Sequence, residues 1–119
     1  MKFKYFSYEE FDSPDIQGSG QMMSDVFITM LDNVREEYGS PIIINSGFRT
    51  EQANMKAGGV KNSSHLIGLA ADLKVKNGKE RFKLIKILIK NGFNRIGIAK
   101  TYIHVDIDSS KTPNTIWTY

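Results

Sequence analysis

The chain contains no cysteine, and only three prolines, two histidines and one tryptophan among 119 residues. Without thiols there is no disulfide and no thiolate metal site, so any metal must sit on histidine, aspartate or glutamate. The same absence leaves the redox compartment unreadable. Long hydrophobic runs are missing too. The opening MKFKYFSYEEF has no continuous apolar stretch and already carries Glu9 and Glu10, and no other segment approaches the ~20 apolar residues of a membrane span. A secretory leader and a membrane span are therefore not expected. Nor does one sign of charge dominate: 16 Lys and Arg against 13 Asp and Glu leave a net charge of +3. So mild an excess fits weak attraction to an anionic polymer, nucleic acid or cell wall, and specifies neither.

What remains is the composition of a globular domain, and the length suits one domain over residues 1–119. No repeat, low-complexity tract or interdomain linker breaks it. Residues 1–20 read as an N-terminal extension and loop, with SPDIQGSG (13–20) rich in turn formers. Met22, Met23, Val26, Phe27, Met30, Leu31, Val34 and Tyr38 recur at helical spacing and predict an amphipathic helix closed by Gly39. Its methionines suit a core face better than an adaptable binding surface. PIIINS (41–46) predicts a buried strand, Thr50 a cap for a short helix over EQANMKA ended by Gly58 and Gly59, and LAADLKV (69–75) a second strand. GKERFKLIKILIKNGF (78–93) predicts a helix with Phe82, Ile85, Leu88 and Ile89 inward. Lys79, Lys83, Lys86 and Lys90 are then its solvated face rather than a nucleic-acid patch, so no nucleic-acid partner is expected. RIGIA (95–99) and YIHVDID (102–108) follow as strands around a tight Lys100–Thr101 link, which makes that pair antiparallel. The order predicts an α+β domain: a small, mainly antiparallel sheet with helices packed on one face.

Alternation assigns the other face. Ala71, Leu73 and Val75, with Ile103, Val105 and Ile107, turn towards the helices, leaving Asp72, Tyr102, His104, Asp106 and Asp108 on the open side. His65 stands just before the Asp72 strand, and a bend at Gly68 would bring it alongside. Two imidazoles and a carboxylate converging there make a zinc site with a fourth position left for water. Hydrogen-bonded structural histidines are the other reading that spacing alone allows.

Three segments, in order, narrow the choice. SSHLIGLAAD (63–72) matches S-x-H-x-x-G-x-A-x-D, SGFRT (46–50) resembles an upstream S-G-[YF]-R element, and RIGIAKTYIHVDID (95–108) looks like a closing hairpin that ends in a ligand histidine. Together they resemble the zinc D-Ala-D-Ala peptidases of the peptidase M15 group, which share a fold with the hedgehog signalling domain. Position by position, the resemblance makes His65, Asp72 and His104 the zinc ligands and puts the zinc site on the open sheet face. Ser63 then lines the substrate site, and Arg49 orients substrate or stabilises a developing oxyanion. Asn54, Tyr102 and Trp117 are pocket candidates for which packing or capping serves equally well, and Gly68 and Ala70 make room.

One departure stands out. Many members carry a Glu or Asp, the general base, three residues before the last zinc histidine; here that residue is Thr101. Asp106 shares the strand face of His104, two residues on, at roughly 6–7 Å. It is expected to be the base, or else to orient a ligand imidazole, with Asp108 a more distant second. The function implied is a zinc metallopeptidase cleaving peptidoglycan stem peptides, as carboxypeptidase or endopeptidase, with zinc-activated water as nucleophile. The alternative is a non-catalytic zinc module that recognises a peptide or partner. A monomer is expected, acting on the cell wall like a phage lysis or virion enzyme, or otherwise in the cytoplasm.

Overall fold

A computed structural model describes residues 2–119. Helix α1 (Asp25–Tyr38) begins where the Ser24 hydroxyl accepts the Phe27 N–H, and ends at Gly39, whose φ of 79° suits a residue without Cβ. The expected start at Met22 is too early, because Ser19–Met22 form a 3-10 turn and Met23 is extended. Met22 and Val26 are accordingly exposed, while Phe27, Ile28, Leu31 and Val34 are buried. Helix α2 (Glu51–Lys56) has the predicted Thr50 cap. Helix α3 (Gly78–Lys90) is capped by Asn77 and buries Leu84, Ile87 and Leu88.

The inward set expected for α3 needs correcting: Phe82 is 71% exposed and Ile89 52%. Six apolar residues crowd positions 82–89, more than one helical face can cover. At ~100° per residue, Phe82 lies about 200° from Leu84 and Ile89 about 100° from Leu88, so only the arc centred on 84, 87 and 88 meets the core. The lysine face is also not wholly free. Lys83 donates to the Tyr38 carbonyl at 2.8 Å and Lys90 to Glu37 at 3.1 Å, and both tie α3 to α1.

Five strands form one sheet in the order β1-β2-β4-β3-β5. They are β1 (Ile44–Ser46), β2 (Ala70–Lys74), β3 (Arg95–Ile98), β4 (Tyr102–Asp106) and β5 (Thr115–Thr118). All pairings are antiparallel except β3 with β5. The expected strand at 41–46 shrinks to three residues at a sheet edge. Pro41 has no N–H for a ladder, and the register shifts between Ile44 and Ser46. Strand β5 is absent from the predicted order; it follows Asn114, whose φ of 56° turns the chain back beside β3.

Alternation is realised as predicted on the two central strands. Ala71, Leu73, Val75, Ile103 and Val105 join α1 and α3 in the core. The N-terminal segment is no loose extension, since Phe3, Phe6 and Phe11 are buried in the same core, each contributing ~1.5–3 kcal/mol. The opposite face is not fully open either. The chain from Ser46 through α2 to a 3-10 turn at Ser64–Ile67 reaches over it, leaving Asp72 only 6% and Asp106 1% exposed.

Candidate metal centre

Two adjacent strands and one turn assemble the cluster. Asp72 on β2 is the direct register partner of His104 on β4. His65 enters from the 3-10 turn, whose start is fixed by Ser63: its hydroxyl accepts the His65 N–H at 3.2 Å. Gly68 closes that turn at a φ of 71°, and a Cβ there would sit 2.3 Å from the Met22 carbonyl oxygen. The glycine therefore serves both the left-handed conformation and the close packing that brings His65 back over β2. One ligand atom from each of His65, Asp72 and His104 falls within 4.8 Å of the others.

Hydrogen bonding specifies which atoms these are. His65 Nδ1 lies 2.7 Å from the Gly47 carbonyl oxygen, so it carries the hydrogen and leaves an Nε2 lone pair 3.3 Å from Asp72 Oδ1. His104 is arranged the other way round. Its Nε2 donates to Asp106 Oδ2 at 2.8 Å, and its Nδ1 faces the same Asp72 Oδ1 at 3.0 Å. Two imidazole lone pairs and a carboxylate oxygen thus point at one another across about 3 Å. Such a group of acceptors needs a cation or a proton in its midst, and three N and O donors with imidazole hydrogens tied to oxygen suit zinc. Burial pushes the His104 pKa down, but hydrogen bonds to Asp106 and Asp72 outweigh it and raise the group above its ordinary value. Burial likewise pushes the Asp72 carboxyl up, and His104 and His65 overcome this to hold it well below the usual carboxylate range.

The surrounding residues are anchored rather than loose. Arg49 directs all three guanidinium nitrogens inward: Nε to Ser46 Oγ at 2.9 Å, Nη1 to Asn54 Oδ1 at 3.3 Å and Nη2 to Asp72 Oδ2 at 3.2 Å. Asn54, 3% exposed, links this arginine to the loop after α2 by donating to the Val60 carbonyl at 2.8 Å. Asp106 has both oxygens engaged, since Oδ1 receives Arg95 Nε at 2.8 Å and the Asp108 N–H at 3.1 Å. Asp108 is turned away from the cluster, with Oδ2 bonded to Ser64 Oγ at 2.7 Å. Thr101 is exposed. Ser63, Arg49, Tyr102, Asp106 and Trp117 all line the cleft over the cluster.

Two further residues shape the cleft: Trp117, already a pocket candidate from the sequence, and Arg95, which a reading of the sequence misses. Trp117 on β5 brings its ring to 5.6 Å from that of His104, and it does so over Gly97, where a Cβ would meet Trp117 Nε1 at 2.6 Å. The signal was the glycine inside RIGIA, since a glycine within a strand marks close approach by another group. Arg95 is the second: it holds Asp106 from β3 and stacks 4.9 Å from the Trp117 ring. Nothing in the local pattern around Arg95 announces a contact made across strands.

Comparison with known proteins identifies a family. The family model described as Peptidase M15 matches residues 4–108, which takes in all three ligands and leaves β5 outside. The zinc D-Ala-D-Ala carboxypeptidase of Streptomyces albus G is 36% identical over 77 residues, 57% of this chain and 30% of its own length. The chain therefore spans less than a third of that relative. Zinc is the metal that family and relative imply, and His65, Asp72 and His104 are positioned to bind it. A family match over most of the sequence and a cluster of acceptors suited to a cation lead to one assignment: this chain belongs to the peptidase M15 family.

Proposed function

We propose that the protein hydrolyses peptide bonds in peptidoglycan stem peptides, as a D-Ala-D-Ala-type carboxypeptidase or a murein endopeptidase. The observation that carries this reading is the acceptor cluster of His65, Asp72 and His104 at the floor of a cleft that Arg49 also lines. Zinc held there supplies a Lewis acid that polarises a carbonyl and makes water more acidic. The chain supplies the rest. The Gly47 carbonyl and Asp106 fix the two imidazoles in the tautomers that ligation requires. Arg49 steadies Asp72 and keeps a permanent positive charge beside the cleft, where an oxyanion would develop. Ser63 and Tyr102 bound the space for the substrate.

Asp106 suits the orienting role better than that of base, because both its oxygens already accept hydrogen bonds. The competing reading, a zinc module that binds a peptide without cleaving it, draws on one observation. Among the described residues, Asp72 and Asp106 are the only carboxylates lining the cleft. No helix among those residues is long and apolar enough to cross a membrane, and a monomer meeting its substrate at the cell wall is the setting we propose. Purified peptidoglycan incubated with the protein, with and without a chelator, decides between the readings. Metal-dependent release of new amino or carboxyl ends is the expected result; zinc binding with no new ends would favour the recognition module.

A further inference from the structure

We propose that the outer face of α3 docks the protein on an anionic lipid surface and leaves the cleft turned away from the bilayer. Leu84, Ile87 and Leu88 fix which way this helix faces. At ~100° per residue, Phe82 and Ile89 lie nearly opposite the middle of that buried arc. Both are exposed, and the half-buried Ile85 joins them in an apolar stripe at i, i+3 and i+7, whose ends stand ~10 Å apart along the axis. Lys79 and Lys86 run beside the stripe and are exposed. Among the described residues neither ammonium has an ion-pair partner, unlike Lys90, which is paired with Glu37.

Charge decides what such a stripe can meet. Glu80 is the one carboxylate of α3; it is turned ~160° from Phe82, and its Oε1 accepts the Lys76 N–H at 2.9 Å. Glu37 of α1, at the C-terminal end, is held by Lys90 and Asn91. Beyond the N-terminal end, Lys76 and Lys100 are exposed and extend the positive field, and Arg81 binds the Lys100 carbonyl at 2.7 Å. A second copy of the chain is a poor occupant, because a two-fold pairing of this face sets its lysines against the same lysines. A soluble polyanion satisfies the ammonium groups but leaves Phe82 and Ile89 in water. An anionic bilayer accepts both: the apolar side chains enter the acyl boundary, and the lysine stems lie along it with their charges among the phosphates. Helices α1 and α3 cover one face of the sheet, while His65, Asp72 and His104 gather over the other. Bound through α3, the protein keeps its cleft open to the aqueous side, whichever bond the site acts on.

The test is sedimentation with vesicles of phosphatidylcholine alone and of phosphatidylcholine mixed equally with phosphatidylglycerol. The mixed vesicles are expected to bind the protein about tenfold or more tightly than the neutral ones, and less so as salt is raised. Lys79→Gln with Lys86→Gln should weaken that binding about fivefold per lysine, and Phe82→Ser with Ile89→Ser by about tenfold or more. All four positions are exposed, and melting temperature and zinc content check that each variant is folded. Because the chain has no cysteine, Phe82→Cys offers a single attachment point for an environment-sensitive dye. Its emission should shift to the blue on anionic vesicles, whereas the same dye on Lys61→Cys, next to Val60 on the cleft wall, should not respond. No binding to anionic vesicles, or equal binding to neutral ones, would overturn the docking surface. So would binding that ignores Phe82 and Ile89 and is matched by dextran sulfate, or a dye response at position 61 in place of 82. Turnover of soluble stem peptides should be unchanged in these variants, so failure of the docking surface and failure of the peptidase reading are seen separately.

Discussion

Arg49 Nη2 lies 3.2 Å from Asp72 Oδ2, on the carboxylate oxygen that the histidines do not face. One oxygen of Asp72 thus belongs to the ligand cluster and the other to a cation that orients it. Lysine at position 49 would keep the charge but could not serve Ser46, Asn54 and Asp72 together. Arg49→Lys is expected to lower kcat on stem peptides by ~10²-fold or more, the scale of a lost oxyanion donor, with a far smaller change in melting temperature. Unchanged turnover would reduce Arg49 to a structural ion pair.

His104→Ala should abolish tight zinc binding, because two remaining ligands hold the ion poorly against solvent. Metal analysis of dialysed protein should show about one zinc per wild-type chain and almost none in the variant. Full stoichiometric zinc in the variant would refute the ligand set.

Asp106→Asn separates two roles for one carboxylate. Its bonds to His104, Arg95 and the Asp108 N–H lead us to expect a ~10–100-fold loss of zinc affinity, with turnover per bound zinc largely preserved. A general base would instead keep its zinc and lose ~10²–10⁴-fold in turnover. Competition with a chelator, together with kcat at saturating zinc, distinguishes the two.

Acid sensitivity has a local source in Asp108. Burial pushes its carboxyl up, but hydrogen bonds from Ser110 and Ser64 outweigh this and hold it below the ordinary carboxylate value. A folded pKa below the unfolded value of ~3.9 means the stabilisation is complete above that value and is lost as pH falls through the folded one. Urea unfolding should therefore show wild type more stable than Asp108→Asn at pH 6, with the gap closing as the pH drops below ~4. A gap that widens on acidification would contradict the assignment.

The sheet's two faces were legible because a strand has a period of two and the residues on either side of it differ sharply in polarity. Alternation alone put Asp72 and His104 on one face, whereas the antiparallel pairing of β2 with β4 and the register that makes them partners are set by the fold. Helix α3 departs from its expected inward face for the opposite reason: with six apolar residues between Phe82 and Ile89, periodicity does not choose a face, and contact with α1 and the sheet does. The burial of Phe3, Phe6 and Phe11 and the return of β5 are long-range outcomes with no local signature beyond aromatic content and a turn at Asn114. Arg95 was invisible as a site residue because its importance arises from what stands on neighbouring strands.

The parallel return of β5 has a consequence beyond the cleft. Without it, β3 would be the sheet margin, its unpaired N–H and C=O groups free to template association with another chain. The strand that sets Trp117 against His104 also covers those groups, through bonds such as Tyr119 N–H to the Ile98 carbonyl at 3.2 Å. Removing residues 112–119 should therefore have two effects at once: a reshaped cleft and a tendency to self-associate that rises with protein concentration. Edge protection and the shape of the cleft thus depend on one four-residue strand.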